Sequence, residues 1–192
     1  MSISETFLKM AKLYKNQVNI NHWRYHLIIP FERTLRFSNN QEVVCIDLGT
    51  GAGDSCGPLI AMASACQLIG GKVYTIDIKK QENSEKLIQD YGLSEIVEFK
   101  TFNDISDEAK LFFADKKACV IHIDTSHTFR HTLEEINFYS KILVIGGFII
   151  FDDTDIKEVE EAIIEFVKNN ENFIIDFSRT DVHGRVVIKK VY

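Results

Sequence analysis

The sequence predicts an α/β protein built on a doubly wound, mostly parallel sheet of seven strands. Three observations predict it. The run 43–48, Val-Val-Cys-Ile-Asp-Leu, lacks polar alternation, as expected of a strand buried on both faces of a parallel sheet. It ends in Gly49-Thr50-Gly51-Ala52-Gly53, whose glycines carry no Cβ, tolerate positive φ and let the backbone approach a ligand. Beyond it, strand-like and helix-like segments alternate, and two more strand-like runs close the chain.

The elements follow in order. Residues 4–15 carry Phe7, Leu8, Ala11 and Leu13 at roughly helical spacing. A polar break at 16–21 precedes a second helical piece over 22–37, interrupted near Pro30. Residues 38–41 read as a loop, so 1–40 form a helical preface to a core at 41–192 within one domain. Trp23, Tyr25 and Phe31 in this preface are read as packing on the sheet, the alternative being that they wall a substrate pocket. Asp54 or Ser55 and then Pro58 start a helix over 58–69, which Gly70-Gly71 ends. A strand at 72–78, closing in Asp77, leads to a polar helix at 79–91 with Gly92 as its cap. A strand at 96–102, a helix at 104–113, a strand at 118–124, a helix at 126–141 and a strand at 148–151 follow. The amphipathic helix at 155–169 has Asp155 and Glu158 spaced for a capping box. Runs 173–178 and 185–191 read as an antiparallel hairpin joined around His183-Gly184.

Bulk properties restrict the function. The 192 residues suffice for one domain with a substantial core, and 45% hydrophobic with 26% charged residues is ordinary for a globular chain. A formal net charge of -6 argues against nucleic acid as a partner. Cys45, Cys56, Cys66 and Cys119 lie mostly in apolar runs without metal-type spacing, and are read as reduced core residues. The first residues lack the apolar stretch of a signal peptide, and the longest apolar run, 142–151, is too short to span a bilayer. A cytoplasmic protein without membrane association is expected.

The glycine turn does not match a dinucleotide fingerprint, because Asp54 stands where the third glycine of Gly-x-Gly-x-x-Gly belongs. The Gly-Lys-Ser/Thr of a phosphate loop is absent as well. Asp47, just before the glycines, would repel a pyrophosphate and attract an ammonium or a sulfonium. Asp77, one βα unit later, is placed to accept hydrogen bonds from ribose hydroxyls. Asp104 could reach an adenine edge, and Asn103 is equally placed.

These residues resemble the class I S-adenosylmethionine-dependent methyltransferases. Asp47-Leu48-Gly49-Thr50-Gly51-Ala52-Gly53, Asp77 and the strand order ending in a hairpin carry the resemblance, which covers residues 43–192. It implies a Rossmann-like methyltransferase fold that binds S-adenosyl-L-methionine across the carboxyl ends of the strands. The implied cofactor contacts are Asp47, Gly49, Thr50, Gly51, Gly53, Asp77 and Asp104.

Two acidic segments fall on the same edge of the sheet: Ile123-Asp124-Thr125-Ser126-His127-Thr128-Phe129, and Gly146-Gly147-Phe148-Ile149-Ile150-Phe151-Asp152-Asp153-Thr154-Asp155. Asp124, Asp152 and Asp153 brought together would repel one another unless a cation or protons lay between them, and Mg2+ is the hard ion expected there. The plainer reading makes some of these acids helix caps, Asp155 above all. The two segments resemble the metal-dependent small-molecule O-methyltransferases, closest to the branch with macrolide and sugar O-methyltransferases and cephalosporin-hydroxylase-like proteins; catechol O-methyltransferase is a more distant relative. The resemblance implies a metal on Asp124, Asp152 and Asp153, with His127 as base three residues after Asp124. The chain departs from it twice: position 153 is Asp where catechol enzymes have Asn, and position 152 is Asp where the closer branch often has His.

His127 also suits the chemistry on its own terms, since a histidine titrates near neutrality and can take a proton from an alcohol. His122 is read as a hydrogen-bonded core residue, while His22, His26, His131 and His183 have no evident partner. The expected protein is an O-methyltransferase acting on a small hydroxylated acceptor, with Asp124 and His127 catalytic. The alternatives are a metal-independent methyltransferase of the same fold and a nucleoside-binding module without chemistry. Asp152-Asp153-Thr154-Asp155 is not the Asn/Asp-Pro-Pro-Tyr of base amino-methyltransferases. A homodimer is compatible with this reading.

Overall fold

A computed structural model describes residues 20–39, 42–51, 56–179 and 183–192. Helix α1 (Ile20–Leu35) leads into strand β1 (Val43–Leu48), helix α2 (Gly57–Ile69), β2 (Gly71–Asp77), α3 (Glu82–Asp90) and β3 (Val97–Thr101). Then come α4 (Asp107–Phe113), β4 (Ala118–Ile123), α5 (Phe129–Ile142), β5 (Leu143–Phe151), α6 (Lys157–Lys168), β6 (Phe173–Arg179) and β7 (Arg185–Lys190). The strands form one seven-stranded sheet in the order β3-β2-β1-β4-β5-β7-β6. The first five pair in parallel; β7 inserts antiparallel between β5 and β6.

Every residue of β1 and of β4 is buried, because helices cover both faces. On one face α1 and α2 pack with Cys45, Val73, Val120, Ile150 and Val187. On the other, α5 and α6 pack with Ile46, Ile121, Ile149 and Ile188. The four cysteines are free and buried. Among the described residues, no helix is long and apolar enough to cross a membrane.

Three expectations are corrected. Helix α1 runs through Pro30 instead of breaking there. Leu27, Ile29 and Phe31 are buried around the proline, so tertiary packing overrides its local cost. Phe31, by contrast, packs in the core as expected. The helix expected at 4–15 and the side chains of Trp23 and Tyr25 lie outside the described residues. Strand β5 starts at Leu143, well before residue 148: Leu143 pairs with Ala118, and a bulge then resets the register to Val120↔Phe148. Asp155 does not cap α6, whose N-cap is Ile156 without a side-chain bond. Glu158 accepts instead from the backbone N of Phe129, 2.9 Å away, so the capping box does not form.

The parallel strands point their carboxyl ends to one edge, and the switch in strand order falls between β1 and β4. A crevice opens at such a point. Two main-chain bonds close its floor: Gly49 N to Ile76 O at 2.9 Å, and Asp124 N to Leu48 O at 2.9 Å.

Candidate active site

Gly49 shows why the turn after β1 needs glycine. Its φ is +85°, and a Cβ built there would meet the Asp124 carbonyl oxygen at 1.8 Å. The close approach is therefore to the end of β4 as much as to any ligand. It brings the glycine turn against the first acidic segment. Gly51 also has positive φ, at 69°; Gly53 lies outside the described residues.

Beside this turn lies a cavity of about 520 Å3, a size suited to a small cofactor. Gly49, Gly51, Asp77, Asn103, Asp104, Asp124 and His131 are among its lining residues, whereas no lysine or arginine lines it among the described residues. Three carboxylates with no fixed cation make it hostile to a pyrophosphate and receptive to a cationic nucleoside. Asp77 ends β2 there, with Oδ1 accepting from Lys79 N at 3.0 Å and Oδ2 from Gln81 Nε2 at 2.9 Å. A carboxylate has about four lone-pair sites, so these bonds leave capacity for ribose hydroxyls.

Asp47 and Thr50 do not line the cavity, which corrects the expectation of direct side-chain contact with the cofactor. Both are almost wholly buried. Thr50 Oγ1 donates to Thr75 Oγ1 at 2.7 Å, Thr75 Oγ1 donates to Asp47 Oδ2 at 2.8 Å, and His122 Nδ1 donates to Asp47 Oδ1 at 2.9 Å. A carboxylate facing the interior of a sheet must find such donors or remain uncharged. The chain of bonds ties β2, β1 and β4 together beneath the glycine turn. His122 is thus the hydrogen-bonded core residue expected of it.

Asp104 faces the cavity and has a partner that sequence reasoning missed. His131 Nε2 sits 3.0 Å from Asp104 Oδ2 and 3.8 Å from Glu135 Oε1. The i,i+4 spacing of His131 and Glu135 on α5 was the available signal. Glu135 is fully buried and accepts from Thr125 Oγ1 at 2.7 Å. Burial first, and the neighbouring Asp104 second, push the Glu135 carboxyl well above its usual range. Burial also acts to raise Asp104, but hydrogen bonds from His131 and Glu135 outweigh it and hold Asp104 below its usual value. Of the pair, Asp104 is held toward its ionised form and Glu135 toward its protonated form.

This predicts a pH-dependent stability. A carboxyl raised in the folded state binds more protons folded than unfolded. Its contribution is complete below the ordinary glutamate range and declines as pH rises toward the raised value. Glu135→Gln keeps a neutral group of the same shape and removes that decline. Its melting temperature should exceed that of the wild type by roughly 2–4 °C near pH 8, about 1 kcal/mol in a chain of this size, and the gain should vanish toward about pH 4. A variant that melts below the wild type at about pH 8 contradicts the assignment.

The second acidic cluster forms where β4 and β5 end. His127 Nε2 lies 3.3 Å from Asp124 Oδ1 and 3.6 Å from Asp153 Oδ2. All three side chains are partly exposed. One donor atom from each falls within 4.8 Å of the others, so the set could hold a metal ion. The hydrogen bond with Asp124 raises the pKa of His127; burial opposes it, and the charges of Asp124 and Asp153 add to it. Asp153 holds a left-handed backbone at φ 49°, which aspartate tolerates better than most residues. Its N–H donates to Asp152 Oδ1 at 3.0 Å.

Asp152 is not part of this set, a correction to the expected metal ligands. Its Oδ1 pairs with Arg185 and its Oδ2 lies 3.1 Å from His26 Nδ1. Arg185 is 1% exposed and Asp152 is 4% exposed. Burial would raise the Asp152 carboxyl, but the His26 hydrogen bond and the Arg185 charge overcome it and hold the group far below its usual range. Strand β7 delivers Arg185 because Phe151 pairs with Val186. His183, at the β6–β7 turn, reaches Asp153 Oδ1 with Nδ1 at 3.2 Å. Arg185, His26 and His183 were invisible as partners, since they lie far from these acids in sequence.

The sheet order, the positive-φ glycines at the β1 end and the acid-lined cavity define a nucleoside-binding α/β protein of the methyltransferase type. Comparison agrees: residues 46–154 match the family described as "Methyltransferase domain", and the chain belongs to that family. No curated protein matches the sequence. Solved structures share the fold at low identity. The cofactor-bound protein Rv0187 from MTB is 11% identical with a TM-score of 0.69, over 97% of this chain and 89% of that one. The O-methyltransferase from Bacillus cereus in complex with SAH is 12% identical with a TM-score of 0.68, over 98% and 91%. The O-methyltransferase TomG from Streptomyces achromogenes, involved in tomaymycin synthesis and solved with SAM, is 13% identical with a TM-score of 0.68, over 98% and 90%.

Proposed function

We propose that the protein transfers a methyl group from S-adenosylmethionine to a hydroxyl of a small molecule, with a divalent metal beside the acceptor. The observation that carries this reading is the double membership of Asp124, which lines the acid-walled cavity and also belongs to the Asp124–His127–Asp153 set. The donor and acceptor ends of a methyl transfer would meet there.

When bound, the cofactor supplies an electrophilic methyl on a sulfonium, and Mg2+ would lower the pKa of an acceptor hydroxyl. The residues provide the rest. Asp77 accepts the ribose hydroxyls and Asp104 the adenine amine, held in place by His131. Gly49 and Gly51 allow the backbone to pass close beneath the cofactor. The carboxylates of Asp124 and Asp153 are the hard oxygen donors that Mg2+ takes. His127, released from its contact with Asp124 when an ion takes that carboxylate, would accept the acceptor's proton on its imidazole. Most of the rate comes from holding oxygen, methyl and sulfur in line.

The test is methyl transfer from labelled S-adenosylmethionine to a panel of hydroxylated small molecules, with and without EDTA. The reading predicts activity that EDTA removes and Mg2+ restores. One observation favours a second reading, a metal-independent methyltransferase: protonated His127 can neutralise Asp124 and Asp153 by itself. Activity indifferent to EDTA selects that one. Cofactor binding without turnover on any acceptor would leave a binding module.

A further inference from the structure

Residues 152–155 and 183–185 are bonded together almost residue by residue. Asp152 pairs with Arg185. Thr154 N donates to Gly184 O at 3.0 Å. Asp155 Oδ2 accepts from His183 N and its Oδ1 from Gly184 N, each at 3.2 Å. Gly184 has no room for a side chain, because a Cβ there would meet Asp155 N and Thr154 Oγ1 at 2.8 Å. The turn before β7 is thereby fixed against the loop after β5 at three separate anchors. What this corner presents is His183, in a left-handed backbone at φ 57°, with Nδ1 3.2 Å from Asp153 Oδ1.

The two oxygens of Asp153 have different neighbours. Oδ1 faces His183, and Oδ2 faces His127 at 3.6 Å. We infer that His183 is a positioning residue for Asp153: its Nδ1–H holds Oδ1 and so keeps Oδ2 turned toward Asp124 and His127. Asp155, expected from the sequence to cap a helix, serves to seat His183. This deepens the proposed metal-assisted reading and rests on it. A carboxylate fixed through one oxygen loses less freedom when the other binds an ion, and partners of this kind govern metal affinity from outside the ligand set.

The test uses the full chain and Mn2+, with free Mn2+ read from its electron paramagnetic resonance signal, so no acceptor is needed. His183→Gly removes the imidazole without straining the left-handed backbone. His183→Asn tolerates the same backbone and offers an amide N–H near the place of Nδ1. His183→Gly should weaken Mn2+ binding by about 10–100-fold, and His183→Asn should return it to near the wild-type value. Circular dichroism melts of each variant establish that it is folded. Equal Mn2+ affinity in wild type and His183→Gly overturns the inference while leaving the metal reading intact. So does a His183→Asn variant as weak as His183→Gly. A wild-type chain that binds no Mn2+ overturns the metal reading and takes this inference with it.

Discussion

Replacing Asp153 with alanine is expected to lower methyl transfer by at least about a thousandfold while S-adenosylhomocysteine still binds. The separation follows from where the residue sits. Asp153 does not line the acid-walled cavity, whereas its Oδ2 faces Asp124 and His127. Removing it takes away one of the two anionic oxygen donors of the set. Asp153→Asn isolates the charge, because asparagine also tolerates the left-handed backbone at this position. Both variants should be assayed by turnover and by calorimetry of S-adenosylhomocysteine. Unchanged turnover in Asp153→Ala would remove the metal, and with it this acid, from the chemistry, whereas unchanged turnover in Asp153→Asn would show only that the oxygen donor suffices without its charge. Lost cofactor binding would mean that the two halves of the site are not separable as described.

The second large effect is on stability. Arg185→Met should cost about 3–5 kcal/mol, since it leaves the buried Asp152 without its guanidinium partner. In a chain of this size that is a fall in melting temperature of roughly 6–20 °C. The methionine fills much of the volume, so the loss reports the orphaned charge more than a cavity. Adding Asp152→Asn to Arg185→Met removes that charge and should recover a good part of the loss, an interaction that a double-mutant cycle reads directly. The recovery will be partial, because Asp152 Oδ1 also accepts the Asp153 N–H and Oδ2 meets His26. A loss below about 1 kcal/mol for Arg185→Met would show that the pair is solvated in solution.

These two residues also mark the limit of what the sequence discloses. The buried run at 43–48, the glycines after it and the alternation of elements were readable because each is a local pattern with one physical cause. Asp124 and Asp153 were readable as neighbours because both end strands, and strand ends in such a sheet gather at one edge. Asp152 was assigned wrongly for the complementary reason. Two consecutive acids look alike in sequence, but here one side chain turns into the protein and the other out of it. Which one turns inward depends on Arg185, a residue that reaches β5 only because β7 lies between β5 and β6.

Asp47 is a similar case. Its place before the glycines signalled a role at the cofactor, and only the register of β1 with β2 and β4 showed its carboxylate occupied by Thr75 and His122. The acids that give the cavity its negative charge are instead Asp77, Asp104 and Asp124. The helix through Pro30 shows burial overruling a local breaker, an outcome that propensity alone cannot foresee.

In the proposed reaction a metal at Asp124 and Asp153 would stand next to the methyl of a cofactor lying in the acid-lined cavity. Proton magnetic resonance of bound S-adenosylmethionine during a Mn2+ titration tests it in one spectrum. The account predicts that the paramagnetic ion broadens the S-methyl resonance first and the adenine resonances least. Strongest broadening at the adenine protons would contradict it, and would put the ion instead at Asp104, His131 and Glu135, whose donor atoms also lie within 4.8 Å of one another.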